Sequence, residues 1–253
     1  MNKIALITGA SSGIGYATAL ELAKNGFDLI LCGRRQENLD KLKIEIGLKV
    51  RSVILTFDVS DFSQVETAFN SLSSDWKNID VLINNAGSAH GLGSIQDGDL
   101  NDWENMIGSN IKGLLYVSKK VIPIMVKRQK GHIVNLSSVA GKTTYENGAV
   151  YCATKKSVEA LSEGMRLDLT KEGIKITNIA PGAVETEFSM VRFKGNKVKA
   201  KKVYEGFDPL LAQDIANAIS YCLLAPEHVT IADMTIYAKA QAAPTMIYRK
   251  DKS

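Results

Sequence analysis

Ile4-Ala5-Leu6-Ile7-Thr8-Gly9-Ala10-Ser11-Ser12-Gly13-Ile14-Gly15 is the stretch from which the fold is read. Residues 3–7 read as a short, fully apolar strand, and a helical stretch runs from the glycines to about Lys24. Asn25-Gly26 closes that helix, as glycine commonly does just past a helix C-terminus. Asp28-Leu29-Ile30-Leu31-Cys32 is a second strand. Strand, glycine turn, helix and strand make the setting that a dinucleotide fingerprint requires. Gly9 permits a tight turn, Gly13 lets the backbone approach a diphosphate, and Gly15 lets the new helix pack on the strand. The helix N-terminus then offers unpaired N–H groups, with Ser11, Ser12 and Ile14 lining the turn. The spacing G-x-x-x-G-x-G departs from G-x-G-x-x-G, so a glycine-rich turn without a ligand stands as the bland alternative. The strand–helix–strand setting favours nucleotide binding.

The second strand ends in Gly33-Arg34-Arg35. An acidic residue about 20 positions after the glycines would hold the ribose 2′-hydroxyl of NAD. Here Arg34 stands nineteen after Gly15 (34 − 15), and no acid appears before Glu37. A guanidinium pairs with a 2′-phosphate where a carboxylate would repel it, so Arg34 and Arg35 point to NADP. The alternative is a solvated arginine pair opening the next helix.

Further along, the pattern keeps alternating. A helix is expected over 36–46, a strand over 52–58, a helix over 63–74, and a strand from Val81 into the polar turn Asn84-Asn85-Ala86-Gly87. A long amphipathic helix is expected over 102–128, a strand over 132–138 and a helix over 151–171. Lys175–Ala180 is a strand stopped by Pro181-Gly182; 212–224 is amphipathic and 234–238 a last short strand. Asp58 either accepts from an adenine amino group or caps the following helix, where Ser60 and Asp61 also sit. Strands alternating with helices mean an α/β fold with a doubly wound, mostly parallel sheet, its ligands bound just beyond strand ends. No repeat, low-complexity tract or linker interrupts residues 1–253, so one domain is the economical reading.

Composition excludes several classes. At 253 residues, 45% apolar and 23% charged, the chain is an ordinary globular one with room for a large core. A net charge of +4 with dispersed basic residues does not argue for nucleic acid. Cys32, Cys152 and Cys222 have no framework spacing and His90, His132 and His228 no ligand spacing, so no metal site is expected and a reducing cytoplasm fits. No run of about 18 apolar residues exists, so no membrane span is expected.

Tyr151 and Lys155 are four apart, on one helix face one turn apart. A free phenol has a pKa near ~10. A fixed ammonium nearby favours the phenolate, so the pair is suited to giving and taking a proton. A half-buried tyrosine beside a solvated lysine is the common alternative. Ser138, thirteen residues upstream (151 − 138) at the end of an apolar run, raises the catalytic reading.

Together, Thr8 to Gly15, Asp58-Val59, Asn84 to Gly87, Asn110, Ser138, Tyr151-x-x-x-Lys155 and Pro181-Gly182 resemble the short-chain dehydrogenase/reductase family, in that family's order. The resemblance implies a three-layer α/β/α Rossmann fold, assembled as a tetramer or dimer. It implies Tyr151 as general acid in reduction and general base in oxidation. Lys155 would bind the nicotinamide ribose and lower the Tyr151 pKa. Ser138 would hydrogen-bond the substrate oxygen, with Ser137 a structural neighbour, and Asn110 would hold a proton-relaying water. Asp58, Val59, Asn85, Ala86, Gly87, Pro181, Gly182, Val184 and Thr186 would join the glycines at the cofactor.

Thr186 to Gly195 stands where the family places a mobile substrate lid, here about 183–205. It resembles that of NADP-dependent dehydrogenases acting on small 3-hydroxy acids such as serine, allo-threonine and 3-hydroxypropionate. Arg192 is the candidate for the substrate carboxylate, because its fork matches one. The alternative is that Arg192, Lys194, Lys197, Lys199, Lys201 and Lys202 make a solvated lid face or an intersubunit contact. Two further functions compete: a broader carbonyl or 3-oxoacyl reductase, and an inert nucleotide-binding sensor or scaffold. The tail 244–253 either packs on a neighbouring subunit or is loose.

Overall fold

In the computed structural model, which describes residues 2–250, β1 (Ile4–Ile7) leads through the glycine turn into α1 (Gly13–Lys24), β2 (Asp28–Gly33), α2 (Gln36–Ile46) and β3 (Ser52–Thr56). Then come α3 (Phe62–Ser71), β4 (Ile79–Asn84), α4 (Leu100–Ile107), α5 (Gly113–Arg128), β5 (Gly131–Leu136), α6 (Val139–Lys142) and α7 (Ala149–Leu169). These are followed by β6 (Ile174–Pro181), β7 (Val184–Glu185), α8 (Phe188–Arg192), α9 (Lys197–Lys202), β8 (Leu210–Leu211), α10 (Ala212–Leu224) and β9 (Asp233–Ile236).

The main sheet runs β3-β2-β1-β4-β5-β6-β9, and every pairing in it is parallel. Both faces are covered, which is why these strands read as continuous apolar runs. Alternate side chains go to opposite layers. Ala5, Ile7, Leu29 and Leu31 meet Leu22, Leu39, Leu42, Ile215 and Ile219 of α1, α2 and α10. Ile4, Leu6, Ile30 and Leu82 meet Val65, Phe69, Val117, Val121 and Met125 of α3 and α5. This is the doubly wound, three-layer architecture expected from the alternation. The strand order turns back between β1 and β4, so the loops leaving those strands flank one crevice.

Several boundaries differ from expectation. The helix expected over 102–128 is interrupted by a π-helical turn at Gly108–Lys112, while Pro123 stays inside α5. Glycines at both ends of the turn allow close packing: a Cβ on Gly113 would lie 2.6 Å from Val59 Cγ2, and one on Gly108 3.3 Å from Ser60 Cβ. The extra residue turns Asn110 inward, where it is buried. The strand expected over 132–138 stops at Leu136, because Ser138 N-caps α6, its Oγ accepting from Ala140 N at 3.1 Å. β3 stops at Thr56 rather than at 58, and α3 at Ser71 rather than at 74. The lid segment carries β7, α8 and α9, with β7 paired to β8.

Of the tail, residues 251–253 lie outside the described residues. The rest folds back on this chain: Lys250 N donates to Gly206 O at 2.8 Å, and Arg249 Nη2 to Val203 O at 3.0 Å, just past α9. A polar row crosses the sheet below the crevice. Asn84, Asn135 and Asn178 are in register on β4, β5 and β6, and Asn84 Nδ2 donates to Asn135 Oδ1 at 2.9 Å.

Gly15 fixes the entry to α1. A Cβ there would stand 2.3 Å from Gly9 O and 2.5 Å from Asn85 Nδ2, against backbone that cannot yield cheaply. Gly15→Ala is expected to cost about 3 kcal/mol or more. That is a fall in Tm of roughly 6–12 °C for a chain of this size. A melt within 2 °C of the parent would show that the turn is not closed by this approach.

Candidate active site

The crevice begins at the glycine turn. Gly9 and Gly13 take φ values of +67° and +55°, a region that favours glycine. The turn is sewn to the loop after β4: Thr8 Oγ1 accepts from Asn85 N and Ala86 N, each at 3.0 Å, and Asn85 Nδ2 donates to Thr8 O at 2.8 Å. Ser12 is the N-cap position of α1 and its side chain makes no capping bond, while Ile14 packs into the core below. Thr186, at the start of the lid, faces Gly13, with its Cβ 3.4 Å from where a glycine Cβ would stand. Gly182 N donates to Ile236 O at 2.7 Å, which docks the lid base onto β9. Val184 is buried and accepts from Tyr204 Oη at 2.9 Å.

At the end of β2, Arg34 pairs with Asp58 at 3.3 Å and Arg35 with Glu187 at 2.9 Å. Burial pushes the Asp58 carboxyl up, but hydrogen bonds from Ser60 and the charge of Arg34 outweigh it and hold it below the usual range. The open question about Asp58 is resolved in one respect: Asp61 caps α3, accepting from Ser63 N at 2.9 Å and Gln64 N at 3.2 Å. Asp58 instead lies beside Arg34, and Val59 packs on Gly113. Two guanidinium groups, a glycine turn of positive φ and a free helix N-terminus fit a dinucleotide carrying a further phosphate.

α7 carries the two side chains expected to be catalytic. Tyr151 and Lys155 are both buried on it. Lys155 Nζ donates to Leu136 O at 2.8 Å, at the end of β5. Burial draws its ammonium down to about 8, partly opposed by the charge of Glu159. Burial likewise pushes the Tyr151 phenol above its usual value; Ser138, hydrogen-bonded to it, and the Arg192 guanidinium act the other way. This corrects the expectation that Lys155 makes the phenol acidic. Here the groups lowering it are Ser138 and Arg192, and dryness outweighs both. Ser138 Oγ also lies 3.5 Å from Pro181 O, which places Pro181 against the reacting groups. Ser137 donates to Lys155 O at 3.1 Å and is structural.

Asn110 spends its amide on the protein: Oδ1 accepts from Ser88 N at 2.8 Å, and Nδ2 donates to Ser88 O at 2.9 Å and Thr154 Oγ1 at 3.0 Å. It clamps the loop after β4 to α7, and its side chain lends no support to the water-holding role. Gly87 passes between these groups, since a Cβ there would lie 2.8 Å from Asn110 Oδ1 and 3.4 Å from Lys155 Nζ.

The lid supplies the other wall. Arg192 lies 5.6 Å over the Tyr151 ring and 5.6 Å over that of Tyr145, and its Nη2 donates to Tyr145 Oη at 2.9 Å. Phe188 packs on Tyr151 with ring centroids 5.7 Å apart. Lys194 bridges Asp99 at 3.2 Å and Asp102 at 3.0 Å across the crevice mouth. Lys197, Lys199, Lys201 and Lys202 are exposed on α9, as the solvated-face alternative has it. Sequence reasoning missed Tyr145, Phe188, Thr154 and the two lid-holding aspartates, since no local spacing links them to the motifs.

Behind Lys155, one turn further along α7, Glu159 pairs with Lys142 of α6, which also pairs with Asp233 of β9 at 2.5 Å. Asn178 Nδ2 donates to Asp233 Oδ2 at 2.7 Å. Among the described residues no group of three or more His, Cys, Asp and Glu side chains is placed to hold a metal, and no helix is long and apolar enough to cross a membrane.

Comparison with known proteins agrees with this geometry. The family described as short chain dehydrogenase matches residues 3–197. An NADP-dependent 3-hydroxy acid dehydrogenase of Schizosaccharomyces pombe is 40% identical over 251 residues, covering 98% of this chain and 97% of its own. A serine 3-dehydrogenase of Agrobacterium fabrum is 39% identical, covering 99% and 100%. Among solved structures, the closed form of a serine dehydrogenase complexed with NADP+ superposes with a TM-score of 0.91 at 38% identity, covering 98% of this chain and 100% of that one.

The carboxylate behind Lys155 gives a test of the local electrostatics. Glu159→Gln removes one of the two carboxylate partners of Lys142 and the charge that holds the Lys155 ammonium up. The loss of a largely buried ion pair should lower stability by about 1–3 kcal/mol. The Lys155 amine should titrate below its value of about 8, followed by NMR of labelled lysine. An unchanged Lys155 titration would contradict the assigned cause.

Proposed function

The chain belongs to the short chain dehydrogenase family, and from that premise we propose that it moves hydride between NADP(H) and a small 3-hydroxy or 3-oxo acid of the serine, allo-threonine or 3-hydroxypropionate type. It is an NADP-dependent oxidoreductase acting on a CH–OH group; the substrate class is the proposal. The observation that carries it is Arg192, a lid cation 5.6 Å from the Tyr151 ring. A 3-hydroxy acid has its carboxylate one carbon beyond the carbinol, which suits a cation beside the group that handles the carbinol proton. Relatives named for 3-hydroxy acids and for serine support the same reading.

When bound, the nucleotide supplies the hydride donor or acceptor at its nicotinamide ring. Everything else is done by this chain. The glycine turn and the α1 N-terminus receive the diphosphate, with Arg34 and Arg35 taking the 2′-phosphate. Lys155 holds the ribose hydroxyls. Ser138 Oγ donates to the carbonyl or alkoxide oxygen, stabilising negative charge there. Tyr151 Oη gives its proton to that oxygen in reduction and takes it in oxidation. A phenol kept protonated by burial is well placed as donor. As the base, it depends on Ser138 and on the Arg192 guanidinium, which both favour the phenolate. Phe188, Tyr145 and the closed lid exclude water, which strengthens each of these interactions.

The reading treats the chain as one domain with a lid at about 183–205, working as a homotetramer in the cytoplasm. Support comes from exposed apolar side chains on one helix face, Tyr221 and Leu224, and from three free, buried thiols, Cys32, Cys152 and Cys222.

Arg192→Ala separates a hydroxy acid from an uncharged alcohol. A lost charge-assisted contact of about 1.5–3 kcal/mol should raise KM for serine by roughly 10- to 150-fold. The KM for an uncharged short-chain alcohol should change less than about threefold, the factor that 0.6 kcal/mol represents, while any effect of the lost guanidinium on Tyr151 falls on the turnover of both substrates alike. Equal rises of KM for both substrates would remove the carboxylate role.

A further inference from the structure

Arg35, at the mouth of the nucleotide cradle, is held by a carboxylate that the catalytic reading leaves without a task. Its guanidinium lies back over the glycine turn, Nε donating to Ser11 Oγ at 3.4 Å and Nη2 to Ser11 O at 3.5 Å. Nη1 donates to Glu187 Oε2 at 2.9 Å. Glu187 is the lid residue just ahead of α8, 152 positions along the chain from Arg35. Its neighbour Thr186 faces Gly13, so the ion pair crosses the turn from the end of β2 to the start of the lid. The pair is half exposed, at 48% and 57%, and contributes little to stability. Among the described residues the Glu187 carboxylate has no other hydrogen bond or ion pair. Arg34 is placed differently: its partner Asp58 is also committed to Ser60, through N at 2.9 Å and Oγ at 2.7 Å.

We propose that Glu187 is a cofactor-selectivity residue, its carboxylate competing with the 2′-phosphate of NADP for the guanidinium of Arg35. The inference rests on the NADP reading above. A phosphate offers a guanidinium the same fork as a carboxylate, with more charge, and so displaces it. Displacement costs the Arg35–Glu187 contact. NADP is therefore held less tightly than the two arginines alone would hold it. NAD carries no group that calls on Arg35, and it binds with the pair intact. The lid and the adenosine end of the cradle are thereby linked, because the anion that takes Arg35 frees the residue from which the lid springs.

The test is isothermal titration of NADP and of NAD into the parent, Glu187→Gln, Arg35→Gln and the double variant. Glu187→Gln is expected to lower the Kd for NADP three- to tenfold, to leave that for NAD within twofold, and to have no effect in the Arg35→Gln background. An unchanged or weaker affinity for NADP, an equal gain for NAD, or a gain that persists without Arg35 would overturn the inference alone. Parent protein that binds NAD as tightly as NADP would instead overturn the cofactor reading on which it rests.

Discussion

The ammonium of Lys155 sits inside the fold and meets one carbonyl oxygen, that of Leu136, at 2.8 Å. A buried charge is costly, and the depressed value of about 8 records that cost. The sign follows from linkage. With the folded value below the unfolded one, the penalty is fully present below pH 8 and is relieved as pH rises from about 8 toward 10.5. A residue that weakens the fold at working pH fits the role proposed for it beside Tyr151. Much of the surrounding structure serves that placement: β5 brings the Leu136 carbonyl, the loop after β4 brings Gly87, and the π turn brings Asn110 to fasten the loop to α7.

The same dryness acts on Tyr151. Apolar walls from Phe188 and the lid push the phenol up, while Ser138 and Arg192 pull it down. The phenol is therefore drawn down from two sides, by Ser138 at the head of α6 and by an arginine on the lid, against the burial that pushes it up. The lid is not a passive cover in this arrangement. Its three charged contacts reach different parts of the crevice: Glu187 to Arg35, Arg192 to Tyr145 and Gly91, and Lys194 to Asp99 and Asp102.

The local patterns carried most of the architecture. Apolar runs bounded by glycines placed β1, β2 and α1, and the four-residue spacing placed Tyr151 and Lys155 on one face of α7. Ser138 was legible from its distance to Tyr151. The π turn was not, because 102–128 keeps helical periodicity and only the approach of Val59 and Ser60 to Gly113 and Gly108 reveals the interruption. The direction of the Tyr151 shift was read wrongly for a related reason: spacing reports a neighbouring charge, whereas desolvation depends on how α7 is covered, by Tyr145 just ahead of it and by Phe188 from the lid. Likewise Lys142, Glu159 and Asp233 meet only because α6, α7 and β9 do, so no window of sequence contains the cluster. Arg192 was singled out as a candidate from its place in the lid; its contact with Tyr145 needed the fold.

Proton transfer by Tyr151 is most directly tested by Tyr151→Phe, with NADP affinity and turnover measured on the same preparation. Positioned acid–base groups contribute roughly 10²–10⁴-fold, so turnover of serine should fall by at least about 100-fold while the Kd for NADP stays within threefold. Turnover within tenfold of the parent, with NADP still bound, would contradict the role assigned to the phenol.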